Sequence, residues 1–262
     1  MRLTLKAHAK VNLTLHVLGK RDDGYHNIES VMVPVELADI VTAETSGRDE
    51  IISGIKGNIC AKALQEMRKH FAFGPVRITI EKNIPVGAGL GGGSADAAAA
   101  ILGINRLFSL NATQQKLMEI GSSVGMDVPF CIRRKASLAT GRGDKLAGIE
   151  LPEMTMVIAN PGIHVSTAEA YAAVAFSQAR GFPDHPDIED VAASLHNDFE
   201  AMVEKAYPEI AKIKNAMLKA GALGAGMSGS GPTVFAICRT DAEKVCSALS
   251  GCQFTCITKT RR

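Results

Sequence analysis

Residues 2–18 alternate between apolar and polar positions. Leu3, Leu5, Ala7, Ala9, Val11, Leu13, Leu15 and Val17 fall on one side, and Arg2, Thr4, Lys6, His8, Lys10, Asn12, Thr14 and His16 on the other. A period of two sends successive side chains to opposite faces, so the pattern predicts an extended strand with one buried and one solvated face. A turn-forming stretch, Gly19 to Gly24 (GKRDDG), follows, and then two strand-like runs at 28–37 and 39–45. Helical spacing predicts helices over 58–71, 94–108 and 113–124, with a strand over 75–81. Asn111 or Thr113 is the candidate cap of the third helix and Gly125 its stop. Short strands are expected at 129–133 and 136–140.

The rhythm changes in the second half. A strand is expected at 154–159, a helix at 167–177, and helices near 188–205 and 208–220, the last ended by Gly221. Strand 222–227, a Ser/Gly turn at 228–231, strand 233–238, helix 241–250 and strand 253–259 complete the chain. Strand–helix–strand–strand–helix–strand is the split βαβ order of a ferredoxin-like domain, here with extra helices inserted. The fold class is therefore α+β, with two domains over 1–151 and 152–262 and a boundary near Glu150–Glu153.

Within this frame one segment carries chemistry. Residues 85–100 read PVGAGLGGGSADAAAA: Gly87, Gly89, Gly91, Gly92 and Gly93 run into a strong helix former, with Ser94 at the junction as a natural N-cap. A helix start offers unpaired N–H groups and a partial positive charge, and glycines in front of it let backbone amides close on an anion. Strand, loop and helix in this order predict a phosphate cradle. A flexible linker would not be hemmed by the alternating Val76, Ile78 and Ile80. The P-loop is excluded because no Lys follows the glycines before Lys116, and the dinucleotide fingerprint because no acid lies between Asp96 and Glu119.

Composition narrows the partners. With 262 residues, 46% hydrophobic, 21% charged and a net charge of +2, the chain gives no reason to expect nucleic acid or an anionic membrane surface. No apolar run approaches a membrane span, and MRLTLKAHAK lacks the apolar core of a secretory signal. The cysteines at 60, 131, 238, 246, 252 and 256 form no C-x-x-C pair, as expected of reduced thiols in a cytoplasmic protein.

Phosphoryl transfer needs a phosphate clamp, charge neutralisation and a group that positions and deprotonates the acceptor hydroxyl. Asp127, in GMDVPF, is the carboxylate in apolar company; it is either a solvated loop acid or a buried, functional one. Lys10 and Asn12 share the polar side of the first strand, and a lysine near a carboxylate would hold the acid ionised. Tyr25-His26-Asn27 offers stacking and hydrogen bonding to an aromatic ligand. GAGMSGSGPTVFAI (Gly224 to Ile237) reads either as a plain hairpin turn or as a second anion contact.

Together these segments resemble the GHMP kinase superfamily, whose second motif is similar to PVGAGLGGGSADAAAA and whose third is similar to GAGMSGSGPTVFAI. AKVNLTLHVLGKRDDGYHNIESVM (Ala9–Met32), GMDVPFCI and NPGIHVSTAEAY (Asn160–Tyr171) are similar to one branch of it, the kinases that phosphorylate the 2-hydroxyl of a cytidine diphosphate sugar-alcohol ester in the non-mevalonate isoprenoid route. The resemblance implies an N-terminal domain like ribosomal protein S5 domain 2, a ferredoxin-like C-terminal domain, ATP as donor, and Mg2+ with hydroxyls such as Ser94 as candidate ligands. It implies Asp127 as the base and Lys10 as its partner. Pro85, Val86, Gly87, Ala88, Gly89, Leu90, Gly91, Gly92, Gly93, Ser94 and Ala95 would hold the ATP phosphates, with Asn58 and Lys82 on the adenosine side. Asn12 would contact the acceptor, Tyr25 and His26 its cytosine, and Thr140, with Gly141 and Arg142, would line its cleft. Asp96 must point away from a triphosphate or help to hold the metal. A small-molecule acceptor, no nucleic acid, no membrane, and a monomer or weak homodimer complete the expectation.

Overall fold

The computed structural model describes every residue except Lys56 and Arg262. In chain order its elements are β1 (Arg2–Asn12), β2 (Thr14–Lys20), β3 (His26–Thr45), β4 (Glu50–Ile52), α1 (Cys60–His70), β5 (Val76–Glu81), α2 (Gly92–Leu107), α3 (Gln114–Val124), α4 (Val128–Arg133), β6 (Ser137–Gly141), β7 (Lys145–Gly148), β8 (Thr155–Asn160), α5 (Thr167–Ala173), α6 (Ile188–Ala193), β9 (His196–Asn197), α7 (Glu200–Ala206), α8 (Pro208–Lys219), β10 (Gly224–Met227), β11 (Val234–Cys238), α9 (Ala242–Ser247) and β12 (Phe254–Lys259). They form two compact units. The first comprises Met1–Ala9, Leu37–Val86 and Gly91–Arg134, and the second Lys10–Glu36, Gly87–Leu90 and Lys135–Arg262.

In the first unit the later half of β3 pairs antiparallel with β5, from Ile40 opposite Glu81 to Thr45 opposite Val76, and β5 pairs parallel with β4. Helices α1 to α4 pack on one another. The alanine run makes most of α2 apolar, and Ala95, Ala97, Ala98, Ala99, Ala100, Ile101, Ile104 and Leu107 are all buried. Gly103 permits this close fit: a Cβ there would stand 3.2 Å from the Cβ of Ala43. Thr113 caps α3 by accepting the Lys116 amide at 3.2 Å.

In the second unit β8, β10, β11 and β12 form an antiparallel sheet in the order β10-β11-β8-β12. That is the strand order of a split βαβ domain, as the sequence predicts. Ile210, Ile213 and Met217 of α8, one helical stripe, pack into its core with Val157, Ala159, Phe199, Val234 and Ala236. The earlier half of β3 pairs with β6, β6 with β7, and β2 runs parallel to β9.

Several expectations need correction. Residues 129–133 are helical, not extended: Pro129 stands in the first turn of α4, where its missing N–H costs nothing. The helix expected over 188–205 is two helices separated by β9. The helix expected over 167–177 stops at Ala173. The runs 28–37 and 39–45 are one strand, β3. Ser94 is not the N-cap of α2; the helix starts at Gly92 behind Gly91, whose φ of 67° is left-handed. Only half of the polar face of β1 and β2 is solvated: Arg2, Thr4 and Lys6 are exposed, whereas Lys10, Asn12, Thr14 and His16 are buried.

Candidate active site

In the second unit the two glycine motifs meet backbone to backbone. A Cβ on Gly89 would stand 2.1 Å from the Ser228 carbonyl oxygen, and one on Gly229 would stand 3.1 Å from the Gly89 carbonyl oxygen and 3.3 Å from the Lys10 ammonium. Both glycines have left-handed φ, 75° and 59°. Hydrogen bonds hold this junction. The Ser228 hydroxyl donates to the Gly89 carbonyl (3.0 Å) and accepts the Asn12 amide (3.2 Å), and the Lys10 amide donates to the Leu90 carbonyl (3.0 Å). The Asn197 side chain donates to the carbonyls of Met227 (2.7 Å) and Gly229 (2.8 Å). The Lys10 ammonium donates to the Asn12 side-chain oxygen, and the Asn12 amide group donates to the Ser30 hydroxyl at 2.7 Å. Turn 228–231 is thus a hairpin turn in which Gly229 is required by the loop it touches, while a Cβ on Gly231 would stand 2.6 Å from the Met227 sulfur.

The same unit carries an aromatic cluster. The His26 ring stacks on Tyr171 at 5.0 Å, with Phe176 at 5.9 Å, and the Arg142 guanidinium lies 5.2 Å over Tyr25, which is 47% exposed. Asp144 holds Arg142 at 3.1 Å. Burial pushes the Asp144 carboxyl up, but the hydrogen bonds from Arg142 and the backbone outweigh it and leave the carboxyl below its usual range. Thr140 stands opposite Glu29 in the β6–β3 ladder. A half-exposed tyrosine and a half-buried imidazole suit a flat heterocycle.

The first unit holds the helix start. The leading amides of the 16-residue α2 have no intrahelical acceptor, and its dipole favours an anion. A Cβ on Gly93 would meet nothing within 4 Å, so the protein itself does not require glycine there; an approaching phosphate would. Ser94 faces the turn that carries Asp127: its hydroxyl lies 3.8 Å from where a Gly125 Cβ would be. Asp127 is half-buried at the head of α4. Pro85 and Val86 precede the loop, with Val86 67% exposed, while Ala88, Leu90 and Ala95 are buried anchors.

Beneath the helix start lies an ion cluster. The Lys82 ammonium binds the carboxylates of Asp39 and Asp96, the latter at 2.8 Å, and both acids are wholly buried. Asp39 also accepts the amides of Asn83 (2.6 Å) and Ile84 (2.8 Å). Burial pushes the Asp96 carboxyl up to about 7 against the pull of Lys82, and the like charge of Asp39 adds to the rise. Burial disfavours the Lys82 charge, yet the two carboxylates outweigh it and raise its pKa. Asp96 is therefore turned inward. The Asn58 side-chain oxygen accepts the Cys60 amide at 2.8 Å and holds the start of α1.

Sequence reasoning missed Asp39, Tyr171, Phe176 and Asn197. The signal for Asp39 was an acid inside a strand pattern, and the signal for Asn197 an Asn-Asp pair interrupting helical spacing.

The family model "GHMP kinases N terminal domain" matches residues 58–135 and "GHMP kinases C terminal" matches 174–254. A 4-diphosphocytidyl-2-C-methyl-D-erythritol kinase of Pelobacter propionicus is 46% identical over 252 residues, covering 90% of each chain. One from Caldanaerobacter subterraneus subsp. tengcongensis is 39% identical, covering 95% of this chain and 92% of the relative. A crystal structure of 4-(cytidine 5'-diphospho)-2C-methyl-D-erythritol kinase superposes with a TM-score of 0.83 at 31% identity, covering 98% of this chain and 99% of that one. Homoserine kinase from Cytophaga hutchinsonii shares the fold, with a TM-score of 0.73 at 19% identity over 99% of this chain and 94% of that one. The chain belongs to the GHMP kinases and, among them, to the 4-diphosphocytidyl-2-C-methyl-D-erythritol kinase family.

Proposed function

We propose that this chain transfers the terminal phosphoryl group of ATP to the 2-hydroxyl of 4-diphosphocytidyl-2-C-methyl-D-erythritol. The observation that carries this reading is the 39–46% identity, over nine-tenths or more of the chain, to kinases of that name. The residues supply the parts the reaction needs. Backbone amides at Gly91–Ser94 hold the phosphates, the Ala95 amide being bound to the Gly91 carbonyl, and the open face of Gly93 admits them. Asp127 takes the proton of the acceptor hydroxyl, and Lys10 stabilises the charge emerging on oxygen. The Ser94 hydroxyl is the candidate protein ligand for Mg2+, which when bound would supply charge neutralisation on the triphosphate. Asn12 and Thr140 orient the acceptor, and Tyr25 and His26 bind its cytosine. Asn58 and Lys82 support the nucleotide side from below, the first through α1 and the second through its hold on Asp39 and Asp96.

The test is an assay of purified protein with ATP and Mg2+ against three acceptors: the cytidine diphosphate methylerythritol ester, mevalonate and homoserine. Phosphate transferred to the first alone is the expected result. Turnover of mevalonate or homoserine in preference to it would overturn the assignment.

A further inference from the structure

In the second unit three metal-ligating side chains converge. His16, His196 and Asp198 place one ligand atom each within 4.8 Å of the others. Their hydrogen bonds fix which atoms are committed. One Asp198 oxygen accepts the Val17 amide (2.6 Å) and the Ser177 hydroxyl (2.7 Å), and the other meets His196 Nε2 at 2.7 Å. Because the Ser177 hydroxyl proton goes to Asp198, Ser177 can only accept from His16 Nδ1, 3.3 Å away. The His16 proton is then on Nδ1, and its Nε2 lone pair is left for a ligand. This is the outer-shell arrangement that orients metal-binding histidines: a ring N–H tied down, a carboxylate held by amide and hydroxyl donors.

We propose that His16, His196 and Asp198 form a binding site for a divalent transition-metal ion such as Zn2+ or Co2+, separate from the nucleotide's magnesium. Two imidazoles and one carboxylate select such ions over Mg2+, which prefers oxygen ligands. The histidine rings lie 4.5 Å apart and 17° from parallel, so their in-plane lone pairs do not yet point at a common centre. His196 is the ring that turns. Its side chain is 28% exposed, whereas His16 is buried, and it borders a cleft of about 490 Å³ that His16, Arg180, Phe182 and Ser194 also line. Rotating it out of the stack frees the Asp198 oxygen that it now binds, and that oxygen becomes the third ligand. The ligand atoms then close toward the spacing of about 3.4 Å expected around one ion with bonds of about 2.1 Å. Glu29 and Arg180 are the other charged groups that act on His16.

The test is titration of the full chain, freed of any affinity tag, with Co2+ alone and Zn2+ alone, followed by calorimetry and by the cobalt absorption spectrum. One ion per chain is expected, held against excess Mg2+, with a spectrum lacking a sulfur-to-cobalt charge-transfer band. His196→Ala and Asp198→Asn, which remove direct ligands, should each weaken binding by about a hundredfold or more, beyond the cost of an outer-shell partner. His196→Ala alters a partly exposed side chain, so circular dichroism and melting will show it folded. Absence of saturable binding, a thiolate band from the cysteines, or full affinity in His196→Ala would each overturn the proposal.

Discussion

Gly89 and Gly93 stand four positions apart in one motif and are glycine for different reasons. At Gly89 the protein itself leaves no room, since a Cβ would stand 2.1 Å from the Ser228 carbonyl oxygen. At Gly93 it leaves room that nothing in the chain fills. The first half of the loop is packed: it welds the two glycine motifs into one backbone junction beside Lys10. The second half is open at Gly93 and lies at the start of α2, where the leading backbone amides have no intrahelical acceptor. A glycine-rich run is thus two parts in series, a packed anchor and an open helix start, and the composition of the run does not distinguish them.

The sharpest way to break this contrast is Gly89→Ala. The methyl group meets backbone, not a flexible side chain, and φ is 75°, so a loss of about 3 kcal/mol or more is expected, read as a large fall in the thermal midpoint or as insoluble protein. An unchanged midpoint would mean that the junction is loose. Next come the proposed base and the proposed cation. Asp127→Asn and Lys10→Met should each lower turnover by about a hundredfold or more while ATP affinity changes far less, as single-turnover kinetics and ATP binding will show. A smaller effect is expected at the acceptor end. Tyr25→Ala should raise the KM for the cytidine diphosphate acceptor by about tenfold, the scale of one lost stacking contact, with the KM for ATP unaltered.

The smallest effect probes the support under the open half. Asp96 has a carboxyl pKa of about 7 folded against an ordinary 3.8, so the folded protein binds that proton more tightly. Its contribution therefore falls as pH rises between those two values and levels off above them. Lys82 is raised from 10.5, so its own contribution is fully present throughout that window. Asp96→Asn should remove the decline: measured as a difference in unfolding free energy, variant minus wild type should rise across the window. A difference that stays flat would contradict the assignment.

How much of this was legible depended on range. The helix after the glycines could be read because glycines and alanines are contiguous, and α2 falls within two residues of the expected span. The ferredoxin-like strand order could be read because its elements alternate in period along the chain. What failed was set by distant partners. Lys10 and Asn12 look like one half of a wet strand face until Ser30 and Ser228, far along the chain, close over them. Asp39 looks like a strand breaker until Lys82, Asn83 and Ile84 satisfy it. His196-Asn197 interrupts a helix because it pairs with Thr14-Leu15, a contact no local pattern announces. The stretch 129–133 was ambiguous for another reason: a short apolar run has no period to count, and Pro129 was the deciding signal.

ATP affinity of Gly93→Val, measured by equilibrium binding beside a melting curve, tests the account most directly. Valine is no worse a helix former than glycine and meets nothing within 4 Å at its Cβ, so the melting temperature should hold. ATP binding should fall by about tenfold or more, because a branched side chain then occupies the phosphate path. A variant that is stable and still binds ATP as the wild type does would show that the open half of the loop is not where the phosphates sit.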